Sequence, residues 1–478
     1  MAWIEEILGR RRGKRRDQPL SRDSGVSNPG GTVPTFKTLA EQMMTLPTAP
    51  VGSQLPRFKS TAADQLNRGA QTAFDEMRSR LYTGFAASQP VADRRSFAGR
   101  SEVLERLIRA TEDLRLHVVL YGERGLGKTS CLHMLAHVAR EAGYLVVYIS
   151  CGTKSAFEEV IRCAAAQVPL LYCRGVAPAS AEVEAGKTFA DILPADPFSP
   201  QAASEVLASI VDTRVLVILD EFDQSLSRDF RVSVAELLKN LSDRAARIQF
   251  LIAGIADNLT ELIEHVPSIQ RNIFALQLER MSPSELRDVI RNGEAITGLR
   301  FDQEAAGQII DVANGFPYFA RLLASYAGLR ALDDQRSTAN IWDVLGAIHD
   351  AAEQFGGRIP QKSKKQLERL AETGHLQHLG ALAGAAQMKG GAFATADFET
   401  LFPDEERVAE CRRLVENLTA TNGVIARNDE REAGTFRFLD DTAVPYVWFC
   451  AALEKLRRET AGRIRAGTLG GGGTDNSR

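Results

Sequence analysis

Gly122-Glu123-Arg124-Gly125-Leu126-Gly127-Lys128-Thr129 follows directly on the apolar run His117–Tyr121 and opens an amphipathic helical period. The spacing is Gly-x-x-x-x-Gly-Lys-Thr, and strand before plus helix after is the context in which that spacing cradles phosphate. Glycines accept positive φ and carry no Cβ, so backbone N–H groups can turn inward at a helix N-terminus whose dipole favours an anion. Lys128 is expected to reach the outer phosphates and Thr129 to offer a hydroxyl to an octahedral Mg²⁺.

About ninety residues on, Val215-Leu-Val-Ile-Leu219-Asp220-Glu221 is an apolar strand ending in two carboxylates. Asp220 is expected to hold Mg²⁺ through its waters, and Glu221 to polarise an attacking water. Around these two motifs, apolar runs at His117–Tyr121, Tyr144–Ser150, Val215–Asp220, Gln249–Ala253 and Ile273–Leu278 alternate with helical periods, which predicts a parallel sheet covered on both faces. After Met281 the strands stop. Helical periods at Glu285–Ala295, Gln303–Ala313, Pro317–Leu329 and Ile341–Glu353 predict a separate all-helical subdomain. The Ala- and Pro-rich stretch 168–201 reads equally as an ordered insertion or a mobile loop.

The whole chain has 478 residues, 44% hydrophobic and 25% charged, with a net charge of −3. These values suit a soluble globular protein of about three domains and exclude collagen-like or wholly disordered sequence. No apolar run is long enough to span a membrane and no secretory signal pattern opens the chain, so the expected localisation is cytoplasmic. Six dispersed cysteines without a CxxC pair predict neither a zinc site nor a disulfide framework. His133 and His137, four apart without an HExxH glutamate, read as packing or surface residues, and His375 and His378 as helix surface.

On these motifs the chain resembles the AAA+ ATPases, in the branch holding the origin-recognition initiators and the STAND signalling ATPases, over about Phe97 to Leu456. Phe97-Ala-Gly99-Arg100-Ser-Glu102 looks like the element that helps seat the adenine. The resemblance implies ATP and Mg²⁺ as cofactors. It makes Gly122, Glu123, Arg124, Gly125, Leu126, Gly127, Lys128, Thr129, Ser130, Gly99, Arg100 and Arg321 nucleotide-binding candidates, Thr129 and Asp220 Mg²⁺ ligands, and Glu221 and Lys128 catalytic. It further implies a sensor 1 residue at Asp257, with Asn258 an open alternative. Arg271 stands where the family carries an arginine finger for a neighbouring subunit's ATP, implying self-association. Gly315-Phe316-Pro317-Tyr318 resembles both the STAND GxP motif and the initiators' sensor 2 segment. Tyr318 falls where the sensor 2 arginine stands, and Arg321 lies three residues later.

The expected organisation is a basic, Pro/Gly-rich mobile tail (1–60), a helical lead-in (61–90), an α/β P-loop AAA+ core with a five-stranded parallel sheet (91–280), a helical lid (281–355), a winged-helix domain (356–460) and a flexible tail (461–478). The tail carries ten Lys/Arg against five Asp/Glu, with Trp3, Ile4, Ile7 and Leu8 at helical spacing before an arginine cluster. Such a peptide fits a partner protein, DNA or an anionic membrane surface. In the C-terminal region, Arg412, Arg413, Arg427, Arg431 and Arg437 are available for the phosphates of double-stranded DNA, among interleaved acids such as Glu405, Glu406, Glu410, Glu430 and Glu432. The sequence therefore predicts a Mg²⁺-dependent, ATP-hydrolysing switch associated with DNA, or alternatively a STAND-like signalling or assembly ATPase that binds a protein partner.

Overall fold

The computed structural model describes residues 73–91, 94–225, 227–256, 259, 267–389, 391–402, 404–420, 424–428 and 434–469. The basic tail, Asp257, Asn258 and Arg431 lie outside them. The chain divides into two compact units, one of residues 67–351 and one whose described part begins at Ala352.

Every residue of β3 (Val215–Asp220) and β4 (Ile248–Gly254) is buried, as unbroken apolar runs covered on both faces require. With β1 (His117–Tyr121), β2 (Leu145–Ser150) and β5 (Ile273–Gln277) they form a parallel sheet in the order β2-β3-β4-β1-β5. The five expected strands are all present, to within a residue or two at their ends. The insertion of β4 between β1 and β3 matters for the site: it sets the segment after Gly254 between the phosphate loop and the Asp220-Glu221 pair. Two polar groups lock β4 in register. Gln249 donates to the Thr111 carbonyl (2.6 Å), and His117 Nδ1 accepts from the Phe250 N–H (3.0 Å). Accepting there needs a neutral ring, and burial pushes His117 down to about 4.

In chain order the helices of this unit are α1 (Ala73–Phe85), α2 (Ser101–Glu112), α3 (Lys128–Glu141), α4 (Phe157–Ala165), α5 (Ala181–Glu184), α6 (Pro200–Leu207), α7 (Arg228–Asp243), α8 (Pro283–Thr297), α9 (Gln303–Ala313) and α10 (Pro317–Asp333), with α11 (Ile341–Gly356) crossing into the second unit. The stretch 168–201 is an ordered insertion: Phe189 and Leu193 join the core beneath β3, and Arg162 ties the insertion down through the Ala190 and Pro194 carbonyls. The expectation of an all-helical lid is corrected in one detail. Arg300–Phe301 (β6) and Thr338–Ala339 (β7) pair in parallel, because each is a short extended link between helices.

The lead-in helix α1 belongs to the lid. Leu81 and Phe85 are buried, Phe85 meets Phe301 edge-on at 5.6 Å, and Arg78 pairs with Asp333 on α10. Close approach is possible because α8 offers Gly293, where an added Cβ would overlap the Phe85 ring, and α1 offers Gly84, whose Cβ would stand 2.6 Å from Thr297 Cγ2. Gly293→Ala is therefore expected to destabilise the protein by about 1–3 kcal/mol through overpacking. Urea denaturation measures it, and an unchanged midpoint would show that α1 does not seat there.

In the second unit, α12 (Gln361–Glu372) and α13 (Leu376–Met388) precede β8 (Ala392–Ala394), α14 (Phe398–Leu401) and α15 (Glu405–Ala420). Then β9 (Ile425–Arg427) and β10 (Thr435–Phe438) form an antiparallel sheet ordered β8-β10-β9, and α16 (Ala443–Leu469) follows. Phe393, Phe436 and Phe438 pack the sheet's inner face. The strand β8 went unread in the sequence, since three residues are too few to carry a period. His378 is a correction: it is 7% exposed, packed 4.9 Å from the Phe402 ring, and not on the helix surface.

Candidate functional site

The glycines of the loop do what their sequence positions require. Gly122, Gly125 and Gly127 all have positive φ (143°, 85° and 90°), and Gly127 caps α3 without any side-chain hydrogen bond. The first N–H groups of α3 are thus left without a capping side chain, at the positive end of a fourteen-residue helix. Lys128, 9% exposed, donates to the Gly122 and Glu123 carbonyls at 2.7 Å each. Burial pushes its pKa down to about 8, against the pull of Asp223, Asp220 and Glu123.

At the end of β3 Asp220 is 5% exposed and accepts from two donors, the Tyr148 hydroxyl (2.6 Å) and the Glu221 N–H (2.9 Å). Tyr148 lies on the adjacent strand β2 and stacks on His133 of α3 at 4.7 Å. So His133 packs, as expected of it, and indirectly orients Asp220. His137 lies 3.3 Å from Glu141, an i,i+4 neighbour on the same helix. Glu221 sits in the left-handed region (φ 55°, ψ 35°), an uncommon place for a glutamate, with its carboxylate accepting from Ser150 Oγ at 2.8 Å. Backbone strain of this kind concentrates at functional sites.

A cavity of about 300 Å³ joins these groups, lined by Gly125 to Cys131, Asp220, Glu221 and Asp223, and across from them Arg100, Tyr318 and Arg321. Mg²⁺ and a nucleotide fit this donor set: uncapped N–H groups and a lysine for phosphate, a hydroxyl and a buried carboxylate for a hard cation. A model of the family described as Novel STAND NTPase 1 matches residues 82–429. The chain belongs to this STAND NTPase family. Its five-stranded parallel sheet and phosphate loop are those of a P-loop NTPase, as the sequence motifs implied. Similar solved structures include the Aeropyrum pernix Orc1 protein in complex with DNA (14% identity, covering 78% of this chain and 96% of that one, TM-score 0.41). Others are the Walker-type ATPase of Pyrococcus abyssi (15%, 75% and 98%, 0.44) and the Thermotoga maritima RuvB Holliday junction branch migration motor (18%, 72% and 93%, 0.39). No curated protein matches the chain.

The STAND lid is bound to the loop through a residue that sequence reading passed over. Arg280, at the hinge after β5, pairs with Glu123 of the loop at 3.1 Å, stacks on Phe316 at 4.4 Å and donates to the Asn314 carbonyl. Gly315 (φ 83°) is needed beneath it, since a Cβ there would come 2.7 Å from Arg280 Cβ. Pro317 approaches Gly127, and Phe316 and Tyr318 approach Gly125. Arg321 is 7% exposed and donates to the Gly84 and Ser96 carbonyls, with burial pushing it down to about 10. Arg100 donates to the Glu279 and Leu126 carbonyls, so the Phe97-to-Glu102 element braces the hinge as well as lining the cleft. Gly99 (φ 78°) lets that element turn against Glu285.

The segment 86–91 also lines the cavity, and its Val91 N–H donates to Ser130 Oγ at 3.0 Å. No sequence signal marked it. Asp223, likewise missed, accepts from the Ile255 N–H at 2.8 Å and fixes the start of the segment that carries Asp257 and Asn258. Its spacing, three residues after Asp220 in Asp-Glu-Phe-Asp, was the available clue. Arg271 stands exposed on the turn before β5 and does not line the cavity.

Proposed function

We propose that the chain is a Mg²⁺-dependent ATPase switch of the STAND assembly type, in which the bound nucleotide sets the arrangement of loop, lid and N-terminal segment. What supports this is that all three line one cavity: Lys128 and Thr129 from the loop, Tyr318 and Arg321 from the lid, and residues 86–91. A ligand filling that cavity has different contacts when the γ-phosphate leaves, and a differential affinity is what shifts an equilibrium between arrangements. In this reading Lys128 and the N–H groups of α3 bind the phosphates of ATP or ADP. Thr129 and Asp220 hold Mg²⁺, which offsets phosphate charge, while Glu221 orients water and a neighbouring subunit's Arg271 completes the charge neutralisation. Light scattering with ADP and with ATP is the test. A larger assembly only with ATP, lost in Arg271→Ala, is expected; identical mass in both nucleotides would overturn the assembly role.

A second reading adds DNA. The C-terminal unit, read as a winged helix, exposes Arg412 and Arg413 on α15, Arg427 on β9 and Arg437 on β10. Under this reading ATP turnover rises with duplex DNA at low salt and loses the rise at physiological salt, because counterion release weakens phosphate contacts. A rate indifferent to DNA leaves a protein partner, with the basic tail as one candidate contact.

A further inference from the structure

His375 caps the start of α13 and His378 lies in its first turn, three residues apart and so on one face. Glu410, on α15, comes between them. Its Oε1 is 3.5 Å from His375 Nδ1 and its Oε2 is 3.6 Å from His378 Nε2, with all three side chains' ligand atoms within 4.8 Å of one another. Ligands of a tetrahedral zinc ion with bonds of about 2.0–2.1 Å stand roughly 3.4 Å apart, close to the two histidine–carboxylate separations, each of which runs to a different oxygen of Glu410.

The nitrogens add an independent observation. His378 is 7% exposed, and neither of its ring nitrogens has a hydrogen-bond partner; His375 Nδ1 is buried and unpartnered as well. Buried polar atoms are normally satisfied, and those left over call for a bound ion or water. The neutral imidazole and the carboxylate are the forms that ligate metal.

We infer that His375, His378 and Glu410 form a zinc site joining the start of α13 to α15, with an open coordination position for water. Two imidazoles and a carboxylate suit Zn²⁺ among the common divalent ions; Mg²⁺ and Ca²⁺ prefer all-oxygen sets. The Glu410 side chain is 42% exposed, so water can reach this group. None of the three residues lines the nucleotide cavity, so the site stands or falls apart from the ATPase reading.

The test uses the full chain, stripped with chelator and free of nucleotide, in a Cys163→Ser background that removes the exposed thiol. Zn²⁺ is titrated against a chromophoric chelator, and Co²⁺ is added separately for its visible absorption. One tight equivalent of Zn²⁺ and a four-coordinate Co²⁺ spectrum are expected, and Zn²⁺ should raise the melting temperature. Glu410→Gln and His375→Ala, both at partly exposed positions, should each weaken Zn²⁺ by about 100-fold or more. His378→Ala empties a buried position, so its folding is checked by circular dichroism before its loss of binding is counted. Absence of a tight equivalent, or an equivalent that survives both Glu410→Gln and His375→Ala, overturns the site and leaves the three residues as a helix-to-helix contact.

Discussion

Lys128→Ala is expected to lower nucleotide affinity by roughly 10²–10⁴-fold, the loss of two charge-assisted hydrogen bonds at about 1.5–3 kcal/mol each. The argument rests on the balance of charge in the cleft. Lys128 faces Asp220, Asp223 and Glu123, whose fields all act on its ammonium. With alanine in its place, an incoming triphosphate meets Asp220, Asp223 and Glu221 without the cation that offsets them. Fold loss is not the explanation to fear, since the lysine's partners are two loop carbonyls that water can reach once the side chain is gone. Fluorescent nucleotide titration, with melting temperature as the control, measures the effect. Affinity within a few fold of wild type would remove Lys128 from the phosphate site.

The same lysine gives a pH dependence whose sign is fixed by its environment. Burial pushes Lys128 down to about 8, while a bound phosphate favours the ammonium. Below that pH the lysine is already charged and affinity is flat. Above it a proton must be taken up on binding, so affinity falls by up to about tenfold per pH unit. The Lys128→Ala variant should lack this slope.

What was legible in the sequence was what depends on near neighbours. The five strands are continuous apolar runs, and the helical periods of α8 and α9 are likewise signals contained within a few residues. The phosphate loop is equally local, its glycines needing positive φ whatever surrounds them. What escaped depends on contacts between residues far apart in the chain. Arg280 meets Glu123 across 157 positions and Tyr148 meets Asp220 across 72, and no periodicity in either segment announces such a pair. The seating of α1 on the lid escaped for the same reason: Gly84 and Gly293 read as weak points of two separate helices until their close approach is seen. His378 was misplaced because a histidine on a helix carries no mark of which face it takes.

Glu221→Gln separates hydrolysis from binding, and its expected effect is a loss of about 10²–10⁴-fold in turnover, the usual contribution of a positioned general base. Glutamine keeps the shape of glutamate and an oxygen able to accept from Ser150 Oγ, so the side chain stays where the 2.8 Å hydrogen bond holds it. The backbone at φ 55° is equally demanding of either residue. Asp220 is untouched, still buried and still held by Tyr148, so Mg²⁺ and nucleotide affinity are expected to stay within a few fold of wild type. The variant should therefore retain ATP over many minutes where Lys128→Ala fails to capture it, a contrast that filter binding with labelled ATP reads directly. Wild-type turnover in Glu221→Gln would pass the water-orienting role to Asp223, whose carboxylate lines the same cavity. Loss of both binding and turnover would instead mean that Glu221 holds the loop rather than the water.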